Sequence, residues 1–389
     1  MGHNRVCIIR HDYYPRENHV RRDAETLCQA GYDVDIICCR LQSEKRHEVI
    51  NGVHVHRMPV SHERGGIGRY LFEYSTFFLH ALFAVTKLHF RRRYSVIEVD
   101  TMPDFLVFST SIVKAFGAKI ILFMFEAMPE FFFAKYALNP ENYFIKILKA
   151  VEKYAVRYAD HIITVNSILK QRIDRRYGVD SNTSIILNVP YEELMKTPPG
   201  PETHGDFVLI YQGTLSYRYG VQVAIQAIPQ VIAKIHNIRL VIVGDGDYMP
   251  ELKRLVGKLE LENHICFTGW LSFEKMVLML SEADIGLVPF VRDGYTDLML
   301  PNKLFEYIAQ RIPVISARTD AIKSYFTESS LMFFEPGNAR DLAQCIVTLH
   351  ENPAITKSLI ENASREYARH RWCHMKKEYL NIYRKLREN

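Results

Sequence analysis

The stretch Lys196-Thr-Pro-Pro-Gly-Pro-Glu-Thr-His-Gly205 divides a chain of 389 residues into two parts of similar pattern. Its prolines and glycines can sustain neither a helix nor a strand ladder, so we interpret it as a linker between two domains. On its N-terminal side, apolar strand-like runs alternate with segments of helical spacing. These runs are Val6–Arg10, Val34–Cys38, Val53–Arg57, Val96–Val99, Ile120–Phe125 and His161–Val165.

The same alternation occurs a second time after the linker. The strand-like runs there are Phe207–Gln212, Arg239–Val243, Ile265–Thr268, Ile285–Pro289, Pro313–Ser316 and Leu331–Phe334. Strands that alternate with helices are typical of parallel sheets with crossover helices. The sequence therefore predicts an α/β protein of two Rossmann-like domains facing a cleft, in which the carboxyl edges of the two sheets bind ligands.

The composition is that of a globular protein. Hydrophobic residues make up 48% and charged residues 24%, which excludes the disordered, collagen-like and disulfide-scaffold classes. The seven cysteines form no CxxC pair and no cluster with histidine at metal-ligand spacing, so we interpret them as reduced. No apolar run approaches the ~20 residues of a membrane span, and the first residues lack a secretory signal pattern. We therefore expect a cytoplasmic location.

The net charge of +5 is uneven, since residues 1–195 carry 26 Lys and Arg against 22 Asp and Glu. The segment Tyr70–Arg93 combines aromatic and aliphatic residues with a terminal arginine triplet, which is typical of a helix at an anionic membrane surface. A core helix that ends in solvated arginines explains the same pattern. We favour peripheral contact with the inner face of the membrane, because Phe131–Phe133 and Lys146–Arg157 add a second aromatic and basic region. No nucleic-acid-binding module is recognisable.

The glycines argue against a dinucleotide-binding enzyme. The turn after the first strand, Ile9–Pro15, contains no GxGxxG, and Gly244-Asp-Gly246 is followed by Asp-Tyr-Met-Pro rather than by a third glycine. Hydride transfer is therefore the minority interpretation.

The most informative stretch is Asp297-Leu-Met-Leu-Pro-Asn-Lys-Leu-Phe-Glu306. Pro301 suits the first turn of a helix, whose N-terminal amides and dipole favour phosphate. Lys303 lies in that turn, and Glu306, one turn later on the same face, is suited to accept both hydroxyls of a ribose. An ordinary capped helix with an exposed Lys–Glu pair is the alternative for this segment taken alone.

Further motifs make the chain resemble the retaining nucleotide-sugar glycosyltransferases of family 4, over nearly its whole length. In the second half they are Tyr211-Gln-Gly-Thr-Leu215 with Arg218-Tyr-Gly220, Leu240–Gly246, Ile265–Gly269, Ala283–Phe290 and Leu300–Tyr307 with Pro313–Ile315. In the first half they are Gly31–Asp35, Met102–Val107, Met128–Glu130 and Ala159–Thr164. The resemblance implies the GT-B fold, with an acceptor-side domain at 1–197, a donor-binding domain at 206–370, and a last helix, 372–386, that packs back on the first domain.

The resemblance also implies which residues bind the donor. Gly213 and Thr214 would let the backbone approach the diphosphate, Arg218 and Lys303 would neutralise it, and Glu306 would hold the ribose. The remaining donor-binding candidates are Gly244, Asp245, Asn302 and Leu304. Asp245 either caps the next helix or contacts the base. Members of this fold typically act without a bound metal, so we expect no metal and no cofactor besides the donor.

Two positions depart from the family pattern. Leu298 stands where relatives carry a glutamate that meets the donor sugar, and Asp297 is our substitute candidate. Phe125 stands where relatives commonly carry a histidine, which leaves Glu126 as the catalytic candidate on the acceptor side, with Glu130 as the next one. Alternatively, Glu126 only caps the following helix.

The predicted function is transfer of a sugar, with retention of configuration, from a nucleotide-sugar donor to a hydroxyl of a glycan or lipid-linked acceptor in cell-surface polysaccharide synthesis. Because two family positions are replaced, a non-catalytic or weakly active nucleotide-sugar-binding protein is an alternative. A nucleotide-sugar hydrolase or epimerase on the same scaffold is another. The base and sugar of the donor depend on pocket shape, which these motifs do not fix.

Overall fold

A computed structural model describes residues 4–61, 66–136, 138–139, 141–179, 182–195 and 205–388. The chain forms two compact units, one of residues 1–188 with 373–389 and one of residues 189–372. The predicted linker lies outside the described residues except for Gly205.

Unit 1 is built on a sheet whose described strands are mostly parallel. They are β1 Arg5–Tyr13, β2 Asp33–Cys39, β3 His47–Ile50, β4 Val53–Met58, β5 Val96–Asp100, β6 Lys119–Met124, β7 His161–Thr164 and β8 Thr183–Ile185. Their order is β3-β4-β2-β1-β5-β6-β7-β8, and β3 is antiparallel to β4. The central strands are buried on both faces, which explains their almost continuous apolar sequences.

Helices cover this sheet. They are α1 Asn18–Gln29, α2 Ile67–Arg92, α3 Ser111–Ala115, α4 Met128–Lys135, α5 Tyr143–Tyr158 and α6 Ser167–Tyr177, with a 3-10 segment at Asp104–Thr110 before α3. The last helix of the chain, Trp372–Glu388, also packs here. Its Tyr379 and Tyr383 hydroxyls each donate to the buried carboxylate of Glu98 on β5, at 3.1 Å.

Unit 2 contains a second parallel sheet. Its described strands are β9 Phe207–Gln212, β10 Ile238–Val243, β11 Ile265–Gly269, β12 Ile285–Val288, β13 Val314–Ala317 and β14 Met332–Phe334. The helices are α7 Val221–Ile232, α8 Met249–Lys258, α9 Phe273–Ser281, α10 Asn302–Ala309, α11 Asp320–Lys323, α12 Ala339–Glu351 and α13 Pro353–Ala368, so that the terminal helix is α14. The α/β class with two parallel-sheet domains is confirmed.

The strand order in unit 2 is β11-β10-β9-β12-β13-β14. The direction of winding reverses between β9 and β12, which are neighbours in space but are separated by two other strands in sequence. Ligands of open α/β sheets bind outside the carboxyl ends of the strands at such a reversal. The site is therefore sought in the loops that follow these two strands.

Candidate functional site

The loops after β9 and β10 pack backbone against backbone, and glycine makes this possible. A Cβ on Gly244 would lie 2.0 Å from the Gly213 carbonyl oxygen, and one on Gly246 would lie 2.0 Å from the Leu215 oxygen. The Leu215 N–H donates to the Asp245 carbonyl at 3.0 Å. The two loops are thus fixed against each other, and side chains at either glycine would separate them.

Lys303, in the first turn of α10, reaches the backbone at the end of β9. A Cβ on Gly213 would lie 2.9 Å from the Lys303 Nζ, and Gly213 has φ +130°, which L residues rarely adopt. The Nζ also lies 3.8 Å from the centroid of the Tyr211 ring, a cation–π distance. The Tyr211 hydroxyl is fixed by donating to the Thr214 carbonyl at 2.8 Å. The predicted phosphate-binding Gly213, Thr214 and Lys303 are therefore brought together.

The half-buried position of Lys303 changes its ionisation. Burial lowers its pKa to about 7, although the neighbouring Glu306 carboxylate acts in the opposite direction. An anion bound beside the Nζ would favour the protonated form. Whether the Lys303 side chain is protonated therefore depends on what is bound beside it.

Glu306 faces the end of β9, as the spacing from Lys303 predicts. Burial raises its pKa to about 7, opposed by Lys303 and by a hydrogen bond that the Gln212 side-chain amide donates to the carboxylate. Gln212 was not predicted as a site residue, although it stands within the Tyr211–Leu215 motif. Its backbone N–H donates to the Tyr307 hydroxyl at 3.2 Å, which joins the strand end to α10.

Gly286 on β12 also supports the contact between the end of β9 and α10. A Cβ on Gly286 in β12 would lie 2.4 Å from the Tyr307 ring. Only glycine at this position lets the fully buried Tyr307 pack on the sheet and hold α10 against β9. Gly286 was not predicted as a site residue, because nothing in the neighbouring sequence shows that an aromatic ring covers it.

Arg218 lies on the 3-10 turn Tyr217–Tyr219, between β9 and α7. It is buried, and its guanidinium carbon lies 5.1 Å from the centroid of the Tyr295 ring. The Arg218 carbonyl accepts from the Val291 N–H at 2.9 Å, so the turn is attached to the loop after β12. Gly220 allows this approach, because a Cβ there would lie 1.6 Å from the Pro289 oxygen.

Two candidates at the start of α10 have different surroundings. Asn302 is exposed. The Leu304 side chain is fully buried and its N–H donates to the Pro301 carbonyl, which gives Leu304 a packing role in this structure. The helix begins at Asn302, with Pro301 as its cap residue.

Asp245 and Asp297, the two aspartates predicted as site residues, each interact with a residue close to them in sequence. The Asp245 side chain accepts from the Gly246 N–H at 2.7 Å, whereas α8 begins only after Tyr248 and has no side-chain cap, so Asp245 does not cap it. The Asp297 carboxylate lies 3.3 Å from the Arg292 Nε on the loop after β12. Burial raises the pKa of Asp297, and Arg292 counteracts this rise.

In unit 1, Phe125 and Glu126 follow β6 at the carboxyl edge of the sheet. The Phe125 ring stacks on Phe123 at 4.1 Å between centroids and contacts the His19 ring at 4.2 Å. Glu126 is half-buried. Helix α4 begins at Met128 with Ala127 as its cap residue, directly after Glu126.

Two other glutamates of unit 1 belong to ion pairs. Glu130 accepts hydrogen bonds from Arg172 and Arg176, and these guanidinium groups lower its pKa although burial works to raise it. Glu17 accepts a bidentate pair from Arg10 at 2.7 and 2.8 Å. Glu130 is therefore unsuited to the acceptor-side role that sequence analysis gave it as second choice.

Two family models match the chain, "Glycosyl transferase 4-like domain" over residues 17–188 and "Glycosyl transferases group 1" over residues 206–352. An uncharacterized glycosyltransferase from Methanocaldococcus jannaschii is 21% identical and aligns over 98% of each chain. Sucrose-phosphate synthase from Thermosynechococcus elongatus superimposes with a TM-score of 0.77 at 17% identity, covering 98% of each chain. Anabaena HepE in complex with UDP-glucose gives a TM-score of 0.74 at 15% identity, covering 98% of this chain and 99% of that chain. These likenesses confirm the GT-B fold.

Proposed function

Since the chain belongs to the group 1, family 4-like glycosyltransferases, we propose that it moves a sugar from a nucleotide-sugar donor to a hydroxyl group with retention of configuration. The observation that carries the donor assignment is the position of the Lys303 Nζ, 2.9 Å from where a Cβ on Gly213 would be. A cation beside an exposed stretch of glycine backbone is suited to a diphosphate, which needs charge and close approach together.

The other donor contacts follow from the same arrangement. Glu306, oriented by the Gln212 amide, accepts the ribose hydroxyls. Arg218 contributes a second positive charge on the neighbouring turn. Asp245 and Gly244 lie on the adjoining loop, where the nucleotide extends, and Asp297 takes the place of the glutamate that meets the sugar. With Lys303 and Arg218 supplying charge, we expect no metal to be needed.

The reaction breaks the bond between the anomeric carbon and the diphosphate oxygen, and the acceptor oxygen forms the new bond on the same face. The diphosphate gains negative charge as this bond breaks, and fixed cations lower the barrier by stabilising that charge. The acceptor proton passes to the departing phosphate. Glu126 orients the acceptor hydroxyl or stabilises positive charge on the sugar ring.

For the acceptor we propose a glycan or a lipid-linked glycan of the cell surface, which such an enzyme would reach from the cytoplasmic side of a membrane. The exposed apolar and basic surface of unit 1, described below, supports a membrane-borne acceptor. A non-catalytic nucleotide-sugar-binding protein is the second candidate, favoured by the packing of the Phe125 ring between Phe123 and His19 at the position where relatives carry an imidazole.

The test is a screen of the purified chain against UDP-, GDP-, ADP- and dTDP-sugars by thermal shift, followed by hydrolysis and transfer assays. A donor at 100 times its dissociation constant stabilises the folded protein by about 2.7 kcal/mol, which is easily measured. Binding with turnover supports the enzyme, and binding without turnover under every acceptor mixture supports the binding protein. No stabilisation by any of the four donors would refute both.

A further inference from the structure

Helix α2 exposes an apolar stripe to solvent. At 100° per residue, Phe72, Leu79, Phe83 and Phe90 lie within about 20° of one line along the helix. Phe72 is 73% exposed and Phe83 is 71% exposed. The opposite face of the helix is also apolar and is buried in unit 1, through residues that include Phe77. An exposed helix face is normally polar, so this second apolar face indicates an interaction surface.

The stripe continues onto the neighbouring elements. The Phe90 ring lies 5.0 Å from the ring of Phe116, which follows α3 and is itself exposed. Helix α5 packs against the same Asp104–Thr110 segment as α2 does. Its exposed Tyr143 and Tyr154, eleven residues apart, fall on one helix face. Three elements of one layer therefore expose aromatic side chains.

This layer is also basic. Among the described residues between 66 and 160, the exposed basic side chains are Arg69, Lys87, Arg91, Arg93, Lys146 and Arg157. Over that same described stretch, the one exposed acidic residue is Glu141, which pairs with Lys146 at 2.8 Å. The apolar stripe is thus accompanied by an excess of positive charge.

We propose that the exposed faces of α2, α3 and α5 dock on a membrane that contains anionic lipids. Aromatic side chains would enter the headgroup region while lysine and arginine attract the lipid charge. A second copy of this chain is a poorer occupant, because pairing the same face would oppose one basic surface to another. Among the described residues no helix has the length and apolarity to cross a bilayer.

The structure divides the arginine triplet between two roles. Arg92 pairs with Asp33 and, at 2.7 Å, with the buried Asp35, so it holds α2 on the sheet. Arg91 and Arg93 are exposed. Replacing all three arginines would therefore mix a folding defect with a loss of membrane contact, and the test uses Arg91 and Arg93 alone.

The experiment is sedimentation of the full chain with phosphatidylcholine vesicles, with and without phosphatidylglycerol, at low and at physiological salt. The wild type should bind the anionic vesicles and be released as salt rises. Arg91→Gln with Arg93→Gln should lower the partition coefficient about 30-fold, roughly fivefold for each charge. Phe72→Ser with Phe83→Ser should lower it at least about tenfold.

Matched controls come from unit 2. Leu278→Ser replaces an apolar residue that is 50% exposed, and Lys253→Gln with Lys258→Gln removes two exposed charges. Neither change should alter partitioning. Thermal unfolding and donor-induced thermal shifts of every variant show whether it is folded, and the donor shifts test the transferase proposal separately. Equal partitioning of all variants overturns the proposal. The proposal is also overturned if the wild type is a dimer that does not bind vesicles and the Phe72→Ser/Phe83→Ser variant is a monomer.

Discussion

Replacing Lys303 by Met removes the ammonium group from the proposed diphosphate site and keeps an unbranched apolar stem of similar length. In the free protein at pH 8, a lysine with a pKa of about 7 is only about one-tenth protonated. A bound diphosphate favours the protonated form, so donor binding at pH 8 should take up about 0.9 proton per site. Glu306, whose pKa is also about 7, is already ionised at that pH and contributes little.

The sign of the pH dependence follows from this uptake. Because the complex holds a proton that the free protein has lost, donor affinity should fall as pH rises above about 7, approaching tenfold per pH unit. A nucleotide sugar is the right probe, since its phosphates are both diesters and do not titrate in this range. In the Lys303→Met variant the uptake and the pH dependence should disappear, and affinity at pH 7 should be lower by about 10- to 150-fold, the range of a hydrogen bond to a charged group.

The assay is isothermal titration calorimetry at pH 8 in two buffers of different ionisation enthalpy, with the donor that gives the largest thermal shift. Lys275→Met, which changes an exposed lysine on α9, is the control and should leave proton uptake unchanged. Proton uptake of the same size in the Lys303→Met variant would assign the proton to another group. Unchanged affinity in that variant would remove Lys303 from the diphosphate site.

Four further changes test the site. Glu306→Gln should weaken nucleotide-sugar binding in calorimetry without lowering the melting temperature at pH 8. The raised pKa of about 7 means that burial disfavours the ionised carboxylate, so removing its charge at pH 8 should not destabilise the fold. Arg218→Ala should reduce affinity for the nucleoside diphosphate more than for the nucleoside, and an equal loss would contradict a phosphate role. Glu126→Gln should lower turnover at saturating donor by at least ~100-fold, with donor affinity nearly unchanged. Gly286→Ala should lower the unfolding free energy in urea by about 1–3 kcal/mol, because the added Cβ collides with the Tyr307 ring, and an unchanged midpoint would show that the ring can shift.

The parts of the structure that sequence analysis predicts are those governed by short-range periodicity. Apolar runs bounded by polar residues predicted the central strands of both sheets, because strands buried on both faces need such runs. Lys303 and Glu306 are three residues apart, and helix geometry alone places them on one face. Periodicity did not predict the edge strand β3, His47–Ile50, in which two polar residues precede only two apolar ones. The sequence of residues 105–115 has helical spacing and predicts one helix, but this stretch forms a 3-10 segment followed by the short α3.

The parts that could not be predicted depend on residues distant in sequence. Gln212 is 94 residues from the Glu306 carboxylate that it orients. Arg172 on α6 is 42 residues from Glu130 on α4, and both helices pack against α5. Neither distance leaves a local pattern in the sequence. A motif can therefore indicate which residue takes part in a site, but not which neighbour sets its charge.

The neighbours of a carboxylate decide whether it can serve on the acceptor side in unit 1. A group that orients a hydroxyl and stabilises a developing positive charge must not already be neutralised by a fixed cation. Glu130 is held by two arginines, which lower its pKa against the effect of burial, and Glu17 accepts from two guanidinium nitrogens of Arg10, Nε and Nη2. Removing Arg10, or both Arg172 and Arg176, would take the guanidinium partners from a partly buried carboxylate, so these ion pairs maintain the fold. The ion pairs of these two glutamates therefore exclude both of them as the acceptor-side group.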